Sequence, residues 1–228
     1  MTLKETLHAL EKAGTAQNQK IYARHGVLGP MYGVSYAELG KLKKRIKIDH
    51  ALAVALWESE VHDARVLAMK VADPNATTLK QINTWAKDLR YGILASALAE
   101  LVIATPHAQN RAAAWLKTKR ESTRSMGWIV LAGLARATND LPNAYFETSL
   151  ATIEATIAGG FNDERYTMNH AVICIGCRNP ALKRKALAAA KRIGKVEVDH
   201  GETGCKTRDA GAYIEKTWAH QAKKKRTP

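Results

Sequence analysis

The sequence has little that would cross-link the chain or hold it in a membrane. Its three cysteines, an odd number in 228 residues, do not make up a disulfide framework, so we expect them to be reduced. No stretch approaches the roughly 18 apolar residues that a membrane span needs. The first five residues do not resemble a signal peptide. These absences predict a soluble cytoplasmic protein that does not associate with membranes.

Proline is also sparse, and its positions are regular. Helix-forming sequence separates five internal prolines that stand 44, 32, 36 and 38 residues apart, namely Pro30, Pro74, Pro106, Pro142 and Pro180. Because proline lacks a backbone donor and clashes with the preceding helical turn, it is tolerated between helices and excluded from their interiors. A period in the thirties with two amphipathic segments per unit is typical of helical-repeat proteins. The sequence therefore predicts an all-α fold, an α-solenoid of stacked helix pairs.

Helix-start signals and glycines set the expected limits of these helices. Thr2 with Glu5, and Ser35 with Glu38, have the spacing of capping boxes. A further helix is expected to open at Asp49. The other predicted helices span 3–13, 16–25, 36–46, 61–72, 79–90, 93–104, 107–119, 122–137, 144–158, 163–177 and 181–193.

We expect a single repeat domain over residues 1–217, with N-terminal helices in 1–47, repeats in 48–193 and a capping loop and helix in 194–217. A basic, frayed tail is expected in 218–228.

The charge is strongly unbalanced, because acidic residues are few. Lys and Arg number 35 against 21 Asp and Glu, which gives a net charge of +14. This excess favours a polyanionic partner, and nucleic acid is the leading candidate. In three of the predicted helix pairs, the second helix, which returns antiparallel to the first, begins with an acid followed by an arginine. These starts are Asp63 to Arg65, Glu121 to Arg124 and Asp163 to Arg165. Two interpretations of these arginines stay open, namely contacts between neighbouring repeats and binding of DNA phosphates.

Several short motifs follow one another in a characteristic order. They are the run from Met31 to Leu39, the segment from Ala55 to Ala68, Trp85-Ala-Lys-Asp88, the segments 105–108, 114–117 and 127–131, and the run from Asn162 to Tyr166. In order and spacing these motifs resemble the DNA alkylation repair proteins of the alkylpurine DNA glycosylase (AlkD-like) superfamily. The resemblance covers residues 30–217. It implies HEAT-like repeats whose concave, basic face binds duplex DNA.

The chemistry implied by the resemblance is excision of alkylated, cationic purines by cleavage of the N-glycosidic bond. In the family a carboxylate stabilises the oxocarbenium-like sugar, two tryptophans pack on the deoxyribose, and an arginine holds the DNA backbone. Here Trp85 and Asp88 match the first part of the family's motif. Ala95 or Ser96, however, falls at the position of the catalytic carboxylate.

Two further positions differ from the family's site. Ser125 falls at the position of the arginine, with Arg124 one residue earlier, and the later tryptophan falls near Ile173 or Cys174. These departures predict a protein that recognises damaged or distorted duplex DNA through a basic groove, without the usual glycosylase chemistry. The candidate DNA-binding residues are Arg65, Lys87, Arg90, Arg124, Arg165 and Arg178.

Whether the chain is an enzyme stays open, and two alternatives remain. One is an active glycosylase that uses Trp85 and Asp88, whose i, i+3 spacing puts ring and carboxylate on one helix face. The other is a protein-interaction scaffold, a role to which helical repeats are also suited. No cofactor is expected. We expect a monomer whose partner is duplex DNA, either alkylated or distorted.

A polar segment near the C-terminus interrupts the helical pattern. Residues 194–209 place His200, Glu202, Cys205 and Asp209 in a glycine-containing loop, and loops on rigid scaffolds often carry function. A pairing of Cys205 as nucleophile with His200 as base is one interpretation. A capping loop held by its own hydrogen bonds is the favoured one.

Two cysteines form a Cys-x-x-Cys motif. Cys174 and Cys177, taken with His200 and Cys205, have a number and type of ligands that suit zinc. The spacing is only permissive, because two cysteines inside an apolar helix are more often small buried side chains. We predict no metal site.

Overall fold

The computed structural model describes residues 1–89, 92–137 and 140–224, and within these ranges helices alternate with turns and loops and no β-strand forms. The α-helices are α1 (Leu3–Ala13), α2 (Ala16–Arg24), α3 (Tyr36–Ile46), α4 (His50–Glu58), α5 (His62–Val71), α6 (Leu79–Lys87), α7 (Gly92–Ile103), α8 (Ala108–Leu116), α9 (Glu121–Arg136), α10 (Asn143–Thr156), α11 (Asn162–Gly176), α12 (Pro180–Ile193) and α13 (Ala210–Lys224). The all-α class predicted from the sequence is confirmed. None of the helices in these ranges has both the length and the apolar character needed to cross a membrane.

The predicted capping signals mark real helix starts. The Thr2 hydroxyl accepts the N–H of Glu5 (3.2 Å), and the Glu5 carboxylate accepts the N–H of Thr2 (2.9 Å). At α3 the Ser35 hydroxyl likewise accepts the N–H of Glu38 (3.2 Å). The Glu38 carboxylate instead pairs with Lys41 Nζ at 2.6 Å. The second box is therefore formed only in its first half.

Two helices end three residues earlier than the sequence predicts. The helix predicted over 79–90 ends at Lys87, where the N–H of Asp88 donates to the Trp85 carbonyl (3.2 Å). The helix predicted over 107–119 spans Ala108–Leu116, and beyond it the Thr118 hydroxyl donates to the Trp115 carbonyl (2.9 Å). Local bonds of this kind satisfy the last carbonyls of a helix and so stop it.

The chain forms two compact units, an N-terminal unit (Met1–Ala108) and a C-terminal unit (Gln109–Pro228). In the N-terminal unit α5 packs on α3, α4 and α7, and in the C-terminal unit α11 packs on α9, α12 and α13. Buried leucines such as Leu56 and Leu67 belong to the first core, and Leu131 and Ile153 belong to the second. The single repeat domain over 1–217 stays a prediction.

A buried carboxylate holds the segment that leads from α2 to α3. Asp63, in the first turn of α5, is fully buried. It accepts hydrogen bonds from the backbone N–H groups of Tyr32 (2.6 Å), Gly33 (3.2 Å) and Val34 (2.7 Å). Charge-assisted bonds to three backbone donors offset the cost of taking the carboxylate out of water. The acid at this helix start is therefore part of the scaffold.

The last helix closes the C-terminal unit against α11. The indole N–H of Trp218 donates to the Gly176 carbonyl (2.9 Å). A Cβ at Gly176 would lie 2.5 Å from Ile214 Cδ1, so glycine permits this close approach of α11 and α13. Because α13 continues to Lys224, the tail boundary predicted at residue 218 falls inside a helix, while residues 225–228 lie outside the described residues.

Replacing Asp63 by alanine should strongly destabilise the N-terminal unit. The change leaves three backbone N–H groups without their acceptor, so we expect a loss of about 3 kcal/mol or more in the free energy of unfolding. Urea unfolding followed by circular dichroism measures this loss. Asp49→Ala is the matched control, because Asp49 accepts one such N–H, from Leu52 (2.9 Å), and should cost about 1 kcal/mol. Equal losses for the two variants would show that Asp63 does not hold the segment.

Candidate nucleic-acid interface

A cleft of about 290 Å³ in the N-terminal unit contains three of the predicted site residues. Among the described residues, its polar lining consists of Glu60, Arg65, Lys87 and Asp88. Lys87 and Asp88 are exposed at the C-terminal end of α6. Arg90, which is also predicted to bind DNA, lies outside the described residues.

Trp57 and Glu60 fix the position of Arg65 in this cleft. Arg65 Nε donates to the Trp57 carbonyl (3.0 Å), and the guanidinium lies 4.5 Å from the centre of the Trp57 ring. Arg65 Nη2 lies 3.6 Å from the Glu60 carboxylate. Glu60 has a φ of 60°, a left-handed conformation that costs a non-glycine residue about 1–2 kcal/mol. Since the Arg65 side chain is only 14% exposed, these contacts support its structural interpretation over phosphate binding.

Trp85 lies in the protein core, whereas Asp88 lies at the surface. The Trp85 ring is 3% exposed and stacks on Trp57, with ring centroids 5.0 Å apart and an angle of 24° between the planes. A ring packed in this way is not accessible to a deoxyribose, which argues against the role predicted for Trp85. Asp88 is the exposed C-cap residue of α6. The structure therefore does not bring ring and carboxylate together in the cleft.

The positions that depart from the family's site are mostly buried. On α7, Ala95 is buried and Ser96 is exposed. Because neighbouring helix positions point in different directions, a carboxylate would reach solvent at position 96 and not at position 95. Ser125, Ile173 and Cys174 are buried in the C-terminal unit.

A second cleft, of about 600 Å³, lies in the C-terminal unit. Its basic lining residues are Lys117, Lys119 and Arg124, and its aromatic lining residues are Trp128 and Phe161. Lys117 and Lys119 are exposed in the turn after α8, and Phe161, which precedes α11, is 48% exposed. Basic groups beside an accessible aromatic ring suit the binding of a nucleic-acid strand.

Sequence reasoning missed Lys117, Lys119 and Phe161. The helix predicted over 107–119 placed both lysines on a helix, whereas the structure places them in a turn. The cluster of basic residues from Lys117 to Arg120 is the signal that indicates an exposed basic turn. No feature of the sequence indicates that Phe161 is exposed, since phenylalanine is usually buried.

Glu164 holds Arg124 and Trp128 in the second cleft. Its carboxylate is completely buried, and Oε1 accepts hydrogen bonds from Arg124 Nη2 (2.6 Å) and Trp128 Nε1 (3.2 Å). The charge of Arg124 is thus offset by a buried carboxylate. Lys117 and Lys119 form no ion pair with any described residue. The two lysines therefore carry the unneutralised positive charge of this cleft.

The guanidinium of Arg178 donates hydrogen bonds to backbone carbonyls at the C-terminal end of α9. Its Nη1 donates to the carbonyls of Leu134 (3.4 Å), Ala135 (3.2 Å) and Ala137 (3.0 Å). Its guanidinium also lies 4.7 Å from the centre of the Phe146 ring. Carbonyls at the end of a helix have no partner within the helix, so this arrangement supports a structural role for Arg178.

Arg165 differs from Arg178 because its contacts do not explain its position. It is half-buried in the first turn of α11, and its Nε makes no hydrogen bond with any residue in the described part of the chain. A buried donor without a partner costs about 1–3 kcal/mol. That Arg165 binds DNA stays a prediction.

Hydrogen bonds hold the loop predicted over 194–209. Asn162 Nδ2 donates to the Asp199 carbonyl, and the N–H of Asp199 donates to Asn162 Oδ1, both at 2.8 Å. The Asp209 carboxylate accepts the N–H of Ala212 (2.7 Å) in the first turn of α13. Glu202 is exposed in this loop. These bonds support the capping interpretation.

His200 and Cys205 have separate surroundings. His200 Nε2 lies 2.9 Å from Thr207 Oγ1, and the ring packs edge-on against Tyr166. Cys205 is exposed, and its N–H donates to the Thr203 hydroxyl (3.3 Å). This placement gives no support to a nucleophile and base formed by the two side chains.

The environment of the Cys-x-x-Cys motif disfavours its reactive form. Burial raises the pKa of the Cys174 thiol to about 12, and burial also raises the pKa of Cys177. Thiolates, the form that attacks or binds metals, are therefore rare at neutral pH. Among the described residues, no three His, Cys, Asp or Glu side chains are arranged to hold a metal ion.

Nearly the whole chain matches one protein family. The sequence profile described as "DNA alkylation repair enzyme" matches residues 3–214. The chain belongs to the DNA alkylation repair enzyme family. Similar sequences include uncharacterized proteins of Listeria innocua and Listeria monocytogenes. Each is 36% identical over 216 residues, which cover 92% of this chain and 93% of the relative.

A solved structure has the same fold as this family member. The TM-score is 0.89 at 24% sequence identity, and the match covers 97% of this chain and 95% of the other. That structure is described as "a new family of proteins related to the HEAT-like repeat DNA glycosylases with affinity for branched DNA structures". The likeness confirms the HEAT-like repeat fold that the sequence predicts.

Proposed function

We propose that this member of the DNA alkylation repair enzyme family binds duplex DNA through its phosphates and favours branched or distorted DNA, without the usual glycosylase chemistry. The observation that carries the proposal is the C-terminal cleft, where Lys117 and Lys119 line the same space as the exposed ring of Phe161. Lysines attract the phosphate backbone regardless of sequence, and an exposed ring stacks on unpaired bases. Unpaired bases occur at branch points and damaged sites and are absent from a regular duplex.

The charge of the chain and its fold relative support the same partner. A net charge of +14 favours association with a polyanion whose condensed counterions are released on binding. The solved structure with the same fold is described as having affinity for branched DNA structures. Both observations favour DNA over the protein partner of a helical-repeat scaffold.

The N-terminal cleft supports the absence of the usual chemistry. A catalytic carboxylate acts on developing positive charge most strongly where water is excluded, and Asp88 is exposed. Trp85 is packed against Trp57 and is not free to contact a sugar. An active glycosylase that uses Asp88 remains the second candidate, because Asp88 lines the same cleft as Arg65 and Lys87.

Removing the two lysines of the C-terminal cleft should weaken DNA binding and reduce its salt dependence. Each phosphate contact contributes about −0.9 to the slope of log K against log salt concentration. Lys117→Gln combined with Lys119→Gln should therefore reduce the magnitude of the slope by about 2. Fluorescence anisotropy of one labelled duplex at several salt concentrations measures the slope.

The matched control for this pair is Lys191→Gln combined with Lys216→Gln. Both control lysines are exposed in the C-terminal unit and do not line the cleft, so the change in net charge is equal. If the control pair reduced the slope as much, the cleft would not be the contact site. The absence of any duplex binding by the wild-type protein at low salt would refute the proposal itself.

Phe161→Ala should remove the preference for branched DNA. Stacking of one base on an aromatic ring contributes about 1–3 kcal/mol, so affinity for a three-way junction with unpaired bases should fall about fivefold or more. Affinity for a fully paired duplex should change little. Competition between the two DNA forms measures the preference, and Tyr166→Ala is the control, because the Tyr166 ring is 44% exposed and does not line the cleft. Equal losses on both DNA forms would contradict stacking at a branch.

The wild-type protein should release little or no N3-methyladenine or N7-methylguanine from alkylated DNA. Loss of one preorganised group that stabilises a transition state costs about a hundredfold or more in rate. Ser96→Asp alone should not restore release, because Trp85 remains buried. Chromatography of released bases measures the reaction. Robust release by the wild type that Asp88→Asn abolishes would establish the glycosylase instead.

A further inference from the structure

A cavity of about 660 Å³ in the C-terminal unit is lined by arginines and, among the described residues, by no carboxylate. Arg136, Arg178 and Arg208 line it, and its other lining residues include His170 and Tyr213. The residues that line the cavity come from α9, α11 and α13 and from the segments next to these helices. Asp and Glu are absent from the described residues of its lining. A concave site with cations and no neutralising anion has a positive potential and attracts anions.

Two of these arginines are available to a ligand. Arg178 already donates to the carbonyls at the end of α9. Arg136, in the last turn of α9, and Arg208, in the loop before α13, are exposed and form no ion pair with any residue in the described ranges. The guanidinium of Arg208 lies 4.4 Å from the centre of the Tyr213 ring. Tyr213 therefore positions Arg208 at the cavity.

His170 lies within the electrostatic field of both free arginines. Burial lowers the pKa of His170, and the positive charges of Arg136 and Arg208 lower it further. The imidazole is therefore neutral at neutral pH, and its Nε2 lies 3.4 Å from Cys174 Sγ. The ring adds a hydrogen-bonding group to the cavity without adding a charge. Arg136 and Arg208, which come from separate segments, thus line the same cavity as this ring.

We propose that this cavity binds a phosphate monoester carried by a nucleotide-sized group. A phosphate monoester is close to doubly charged at neutral pH, which matches two guanidiniums, and each guanidinium offers paired N–H donors to phosphate oxygens. Small-molecule sites typically have volumes of about 300–1,000 Å³, so the cavity holds more than a phosphate group alone. The rings of His170 and Tyr213 suit the remainder of a nucleotide.

Two sources supply this chemistry, namely a DNA strand end that carries a 5′-phosphate and a free mononucleotide. The inference goes beyond the function proposed above, because it concerns a terminal or free phosphate and not the backbone of a duplex. It also rests on residues that do not line the cleft of Lys117, Lys119 and Phe161.

Calorimetric titration with deoxyadenosine 5′-monophosphate, and separately with deoxyadenosine, tests the need for phosphate. The wild-type protein should bind the monophosphate and not the nucleoside. Arg136→Gln combined with Arg208→Gln should weaken the monophosphate complex about a hundredfold, because each charge-assisted contact contributes about tenfold. Arg184→Gln combined with Lys191→Gln is the control matched in charge, since both side chains are exposed on α12 and do not line the cavity. It should change the affinity by less than about twofold.

Two duplexes that differ only in a 5′-phosphate or a 5′-hydroxyl distinguish the two sources. Tighter binding of the phosphorylated duplex, lost in the Arg136→Gln, Arg208→Gln variant, identifies the strand end as the ligand. Equal binding of the two duplexes, together with binding of the monophosphate, identifies the free nucleotide. Salt-dependent binding of the 5′-hydroxyl duplex is independent of this cavity. That binding tests the proposed function separately.

Arg208→Gln alone keeps the test independent of helix stability. Arg136 lies where a cation also complements the dipole of α9, whereas Arg208 belongs to no helix. The proposal is overturned if neither the monophosphate nor the phosphorylated duplex binds more tightly than its hydroxyl counterpart. It is also overturned if Arg208→Gln leaves the affinity for the preferred phosphate ligand unchanged.

Discussion

Each unit has a completely buried carboxylate in the first turn of one helix. The cleft in each unit depends on the carboxylate of that unit for the position of its walls. Asp63 on α5 accepts hydrogen bonds from three backbone N–H groups, and Glu164 on α11 accepts hydrogen bonds from the side chains of Arg124 and Trp128. A carboxylate removed from water costs several kcal/mol unless hydrogen bonds replace its hydration. Moving any of these donors away from its carboxylate would therefore cost much of this free energy. The segment next to Pro30, which lines the N-terminal cleft, and the walls of the C-terminal cleft keep fixed positions for this reason.

The arrangement of helices could be predicted because its signals are local. The Thr2 capping box satisfies donors within one helical turn, and Pro180 is the first residue of α12, where a missing N–H costs nothing. Helix ends were less predictable. α6 and α8 stop early because Asp88 and Thr118 bond to carbonyls of the preceding turn, and hydrophobic periodicity carries no information about such bonds.

The directions of the site residues could not be predicted, because they depend on groups brought close only by packing. Arg65 turns towards the Trp57 carbonyl, and Arg178 turns towards the carbonyls at the end of α9. The sequence indicates basic residues near helix ends but not which unsatisfied carbonyls lie opposite them. Lys117 shows the opposite error, because its exposure was missed. The helix predicted over 107–119 is too long and includes Lys117, whereas the structure places this residue in an exposed turn.

Arginine and lysine divide the positive charge of the clefts between two tasks. Arg65 and Arg124 use their guanidinium donors on a carbonyl or a buried carboxylate, whereas Lys117 and Lys119 are exposed and form no ion pair within the described ranges. A planar guanidinium suits a fixed contact with several acceptors, and an ammonium is a hydrated point charge on a flexible stem. Point charges attract phosphates without requiring one direction of approach. A surface of this kind therefore tolerates DNA whose backbone departs from a regular helix, which links this arrangement of charge to the proposed preference for branched DNA.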